Sequence, residues 1–169
     1  MYRRVDSIIV HPRTVVLHGE RYVGSGMVAD GPHAIAGQAH HHAGPILISW
    51  STAAFEARHT RSASNVVYHE LAHKIDMLDG VVDGTPPIAD PAQRARWIEV
   101  CTAEYERLCH GRASVLRDYA ATDAGEFFAV ATEQFFTQPV ALRDGNADLY
   151  EVLMAFYRQD PAARALPAR

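Results

Sequence analysis

The sequence predicts an α+β fold, with strands at the front of the chain and helices at the back. Three observations predict it. β-Branched runs gather before residue 50, apolar residues recur at helical spacing from Val67 onward, and Gly, Pro and Asp punctuate the second half where helices should end or begin. With 169 residues, 48% of them hydrophobic, the chain is long enough for one well-buried domain and short for two. The expected organisation is a single domain over residues 1–169, strand-rich over 1–50 and helical over 62–160. Neither a repeat nor a linker divides it.

Val5 to Val10 and Thr14 to Leu17 flank a His11-Pro12 break and read as two short strands or a hairpin. Residues 24–44, rich in Gly, Ala and His and without periodicity, read mostly as loop. Pro45-Ile46-Leu47-Ile48-Ser49-Trp50 is a strand with proline at its start. Ser64 is a plausible N-cap for a helix in which Val67, Leu71, Ile75 and Leu78 share a face until Gly80 stops it. Residues 79–90 are loop. Asp90-Pro91 opens a helix to about Cys109, as an N-cap and N1 pair. Thr122 or Asp123 caps a helix through Phe136, and a last helix covers about Ala147 to Gln159. Phe127, Phe128, Phe135 and Phe136 are expected in the core.

The formal charge of −4 is spread without blocks, so there is no electrostatic footprint for nucleic acid. No apolar run approaches the roughly 20 residues that span a bilayer, and no membrane association is expected. Met1 to Asp6 is charged and does not read as a signal peptide. Cys101 and Cys109 lie on one predicted helix, about 12 Å apart along its axis, too far for a disulfide. Two reduced thiols suit a cytoplasmic protein.

His69-Glu70-Leu71-Ala72-His73 is an H-E-x-x-H inside a proline-free helical pattern. At about 100° per residue, His69 and His73 stand one turn apart on one face, so both imidazoles reach one ion. Glu70 is turned about 100° away, beside the metal and not on it, where a general base takes a proton from the water a metal activates. With this composition the chance expectation of such a match is roughly 0.03. The pattern therefore points to one Zn2+ per chain and a zincin-like metallopeptidase domain, its small sheet packed on the active-site helix. His40-His41-His42 cannot all face one ion in regular structure and reads as exposed loop.

A catalytic zinc takes a third protein ligand and keeps one position open. Asp79 stands six residues after His73, the place of a metzincin-like third ligand, but Asp76 occupies the position where that arrangement has glycine. Glu126 is the other candidate, a carboxylate among apolar neighbours that is costly to bury unless it is paired or coordinating. Glu133, two turns on, shares its face and is placed to support a ligand or to serve as an ordinary capping or salt-bridge carboxylate; Asp76 is placed to orient an imidazole or to end the helix.

The stretch Asn65 to Gly80 resembles the signature of the Mlc titration factor A family, bacterial zinc peptidases of family M90. Asp118-Tyr119-Ala120-Ala121-Thr122 through Glu126-Phe127-Phe128-Ala129-Val130 and Glu133-Gln134-Phe135-Phe136 resembles its second block, and Gly44 to Trp50 its preceding strand. The resemblance implies a gluzincin-type site in which His69, His73 and Glu126 hold zinc, with Glu70 as catalytic base and Tyr119 as donor to the oxyanion. It implies a peptide substrate, with aminopeptidase action one form of the activity. It also implies an alternative, a regulatory protein that binds the transcriptional repressor Mlc with little or no peptidase activity. Members are generally longer, with an additional N-terminal segment. Strand 45–50 is expected along the cleft as an edge to which an extended peptide adds.

Overall fold

A computed structural model describes residues 7–17, 20–22, 28–30, 33–35, 37–39, 44–59 and 62–164. The fold is α+β. Strands β1 (Ile8–His11), β2 (Val15–Leu17), β3 (Glu20–Tyr22), β4 (Val28–Asp30), β5 (His33–Ile35), β6 (Gly37–Ala39) and β7 (Ile46–Ser49) precede all the helices. The helices are α1 (Trp50–Arg58), α2 (Val66–Asp76), α3 (Pro91–Cys109), α4 (Ala124–Thr137), α5 (Pro139–Gly145), α6 (Ala147–Tyr157) and α7 (Pro161–Arg164).

β7 is the central strand of a three-stranded sheet ordered β1-β7-β6. It runs parallel to β1, with Ile8 beside Ile46 and His11 beside Ser49, and antiparallel to β6, with Gly37 beside Ile48. The expectation that strand 45–50 is an edge is therefore corrected, because both its sides are paired. β1 and β2 do not form a hairpin either. A parallel β1–β7 pair requires a long crossover, and the intervening chain holds two antiparallel pairs, β2 with β5 and β3 with β4. Strands β4, β5 and β6 lie in the stretch read as loop. Short strands in a Gly/Ala-rich segment carry no alternation to read. The His40-His41-His42 run lies outside the described residues.

One face of β7 sets the position of α2. Ile46 and Ile48 are buried against Val66, with Val67 and Leu71 packed on them. Asn65, one residue after the predicted Ser64, caps α2, its side chain accepting from Val67 N and Tyr68 N at 3.1 Å. The helix tightens into a 3-10 turn, Met77–Asp79, and Gly80 at φ 93° ends it. Asp123 caps α4, accepting from Glu126 N at 2.9 Å. α4 is buried almost throughout, and its most extensive partner is α2. Phe127, Phe128 and Phe135 are in the core as expected, and Phe136 packs at its margin.

Three helices were not expected: α1, α5 and the short α7. α1 starts directly at the end of β7, capped by Ser49. α5 begins at Pro139, which was read as a stop; proline is equally at home at the first position of a new helix. α3 matches its predicted span, with Asp90 accepting from Gln93 N at 2.8 Å. Its two cysteines are free thiols, Cys101 buried and Cys109 exposed. No helix among the described residues is long and apolar enough to cross a membrane.

The loop after α2 returns to lock α2, α3 and α4 together at Gly84. Gly84 N donates to Asp76 Oδ2 at 3.0 Å, and Gly84 O accepts from Trp97 Nε1 at 3.2 Å. A Cβ at Gly84 would stand 2.2 Å from Ala124 O, and its φ is +74°. Gly80 has a similar φ of +93° but faces open space. Gly80→Ala should therefore cost about 1 kcal/mol, the left-handed backbone penalty, and Gly84→Ala about 3 kcal/mol, with overlap added. Urea unfolding of both variants measures the difference; equal midpoints would contradict the lock at Gly84.

Candidate metal centre

α2 and α4 face each other with their polar positions aligned, and three side chains converge between them. His69 Nε2 lies 3.1 Å from His73 Nε2 and 3.0 Å from Glu126 Oε2, and His73 Nε2 lies 3.7 Å from the same oxygen. Among the described residues, this is the one group of three potential ligands close enough to share an ion. Four atoms about 2.0–2.1 Å from a zinc ion at tetrahedral angles stand about 3.3 Å apart. The observed triangle fits that spacing.

The hydrogen bonding fits it too. His69 Nδ1 lies 2.7 Å from Glu133 Oε1, and since a carboxylate only accepts, Nδ1 carries the proton. In a neutral imidazole the Nε2 lone pair then points at His73 and Glu126. Glu126 Oε2 is buried without a properly directed hydrogen bond, although Nε2 is 3.0 Å away. The close distance without hydrogen-bond geometry is what atoms aimed at a common point show. Glu126 occupies the third position after the Asp123 cap, where a glutamate often caps its own helix, yet its carboxylate is beside the histidines of α2.

The electrostatics favour a cation at this point. Burial alone lowers the pKa of His69, but the Glu126 and Glu133 carboxylates at its two ring nitrogens outweigh it and push it up to about 10. Burial raises Glu126, and the imidazoles of His69 and His73 beside it outweigh that and hold it well below the usual carboxylate range. Two carboxylates thus bracket one imidazole, and positive charge between the helices is strongly stabilised.

The other predicted residues are placed as follows. Glu70 is on α2 beside His69, 5% exposed, and is not among the converging atoms. Tyr119 lies in a 3-10 turn, Asp118–Ala121, its ring 6.2 Å from that of His69. Burial and then the Glu126 carboxylate push its phenol up to about 12, so it stays a donor near neutral pH. Tyr119 is half-exposed. Asp79 is not in the group. Its Oδ1 accepts from Val81 N at 3.0 Å at the exposed end of the helix. The expectation that Asp76 orients an imidazole is corrected: one oxygen holds Gly84 N and the other has no hydrogen-bond partner. Burial pushes Asp76 up to about 6.

Of the two carboxylates considered for orienting an imidazole, Glu133 is the one that meets His69. It is 1% exposed, and its carboxylate accepts from Asn65 N, His69 Nδ1 and Arg117 Nη2. The contributions of Asn65 and Arg117 were not read from the sequence. Asn65 carried an N-cap signal; Arg117 carried none, because its partner is sixteen residues away on another element.

Residues 1–158 match the family described as Glucose-regulated metallo-peptidase M90. The chain is 35% identical to the Mlc titration factor A of Edwardsiella ictaluri and 34% identical to that of Serratia proteamaculans, over 93% and 94% of its length and 61% and 62% of theirs. It is 31% identical to an uncharacterized protein of Synechocystis over 95% of its length and 60% of that protein's. The chain thus spans about three fifths of the length of the curated relatives it matches. The family match runs through both helices that build the cluster, and on that ground the chain belongs to the glucose-regulated metallo-peptidase M90 family.

Proposed function

We propose that this chain is a single catalytic domain of a zinc-dependent peptidase, with His69, His73 and Glu126 as the ligands of one Zn2+. The observation that carries this reading is the triangle of Nε2, Nε2 and Oε2 atoms at the spacing of a tetrahedral site. When bound, zinc supplies the Lewis acidity that polarises a peptide carbonyl and brings the pKa of a water towards neutrality. Glu70 accepts the proton of the attacking water and returns it to the leaving amine. The Tyr119 hydroxyl donates to the oxyanion that forms on the attacked carbonyl. Glu133 holds His69 in the tautomer that presents Nε2.

The substrate is an extended peptide. β6, the sheet edge nearest α2, is the strand to which it adds in this reading. Free thiols at Cys101 and Cys109 suit a cytoplasmic setting. The second reading is a regulatory protein that binds a transcriptional repressor, and the name of the relatives, Mlc titration factor A, favours it. Docking alone does not require a buried glutamate beside two histidines or a phenol at the same point.

Digestion of a mixed peptide pool, read by mass spectrometry, separates the two. The wild type should cleave, and its product ends distinguish aminopeptidase from internal cutting. Glu70→Gln should lose at least about 10³-fold in rate and keep its zinc. Equal inertness of both zinc-loaded proteins would favour the regulatory reading. Zinc binding tests the ligand set separately: Glu126→Ala should weaken it by more than about 100-fold, and Asp79→Ala should leave it unchanged. The reverse pattern would contradict Glu126 as the ligand.

A further inference from the structure

Arg117 immediately precedes the turn that carries Tyr119, and its side chain reaches to α4. There Nη2 pairs with Glu133 Oε1, the same oxygen that accepts from His69 Nδ1. The guanidinium also lies over the Tyr119 ring, its Cζ 5.6 Å from the centroid. One cation thus contacts both the carboxylate that orients His69 and the phenol beside it.

Two facts make this more than a surface ion pair. Glu133 is almost fully buried, and a carboxylate at that depth is costly without a compensating charge. Once His69 gives its Nε2 lone pair to a metal its imidazole is neutral, and then it and the Asn65 amide supply hydrogen bonds to Glu133 but no full positive charge; Arg117 supplies one. In addition, Arg117 Nε is buried and has no protein hydrogen-bond partner. The guanidinium is therefore not placed where its own hydrogen bonding is most complete. Its contacts with Glu133 and Tyr119 account for where it lies.

We propose that Arg117 is a positioning residue of the metal centre, fixing the Glu133 carboxylate on His69 and the Tyr119 ring at the mouth of the site. The inference rests on the metallopeptidase reading. Without Arg117, the shared oxygen of Glu133 loses its cationic partner, and the carboxylate is free to rotate. His69 then loses the fixed acceptor that holds its tautomer. The half-exposed Tyr119 ring loses its contact with the cation.

The test is zinc affinity of the full chain by competition with a chromophoric chelator, together with the absorption spectrum of the Co2+-loaded protein. Arg117→Met should weaken zinc about tenfold and alter the cobalt bands. Arg117→Lys, which keeps a cation, should stay within about twofold of the wild type. The double variant Arg117→Met/Glu133→Gln should bind zinc no more weakly than Glu133→Gln alone, because both changes break one chain of contacts. A purely structural role would lower the melting temperature without moving affinity or spectrum. Arg117→Gln takes the place of Arg117→Met if the latter does not fold. A wild type that binds metal and an uncharged variant within twofold of it, with unchanged bands, would overturn the role of Arg117 alone. A wild type that takes up neither zinc nor cobalt would overturn the metal-centre reading beneath it.

Discussion

The imidazole of His69 bridges two carboxylates of a single helix, and the arrangement of the site depends on that bridge. Nε2 lies 3.0 Å from Glu126 and Nδ1 lies 2.7 Å from Glu133. Those two glutamates are seven residues apart, nearly in line on α4 and separated by about 10.5 Å of helix rise. A ring whose Nδ1 donates to a buried, fixed carboxylate has a set orientation, so its Nε2 lone pair has one direction. That direction is shared by His73, one turn further along α2, and by Glu126. The geometry works only if α2 and α4 keep their register, and the remainder of the fold bears on that register.

Three contacts fix it. The Ile46 and Ile48 face of β7 seats the start of α2 against the sheet. Glu133 accepts from Asn65 N, tying the cap of α2 to the middle of α4. At the other end, Gly84 joins Asp76 of α2 to the first residue of α4 through a contact no larger residue fits. Asp76 is therefore a structural carboxylate: its burial raises its pKa, and its hydrogen bond closes the loop that brings Glu126 into place. Arg117 extends the same connections outward to Tyr119.

The parts legible in the sequence are those whose physics is local. His69 and His73 share a face because of helical periodicity, and Asp90-Pro91 marked the start of α3 because a cap and a first-turn proline act within a few residues. Glu126 was legible as a buried acid among apolar neighbours, but choosing it over Asp79 required the family resemblance, since periodicity says nothing about which helix meets which. The strands β4 to β6 were not legible, because three-residue strands are specified by their partners and carry little pattern of their own. Glu133 was legible as a carboxylate on the face of Glu126, but not its partner His69, 64 residues away; Arg117 was not legible at all, because its contact is 16 residues distant on another element. Pro139 was misread because proline ends one helix and begins the next with the same local chemistry.

The most direct measurement of the central claim is X-ray absorption at the zinc edge of the loaded protein. Two imidazoles and a carboxylate around the ion give a shell of nitrogen and oxygen scatterers at about 2.0–2.1 Å, with the outer-shell signature of two imidazoles. A sulfur scatterer at about 2.3 Å, or the signature of a single imidazole, would contradict a centre built from His69, His73 and Glu126.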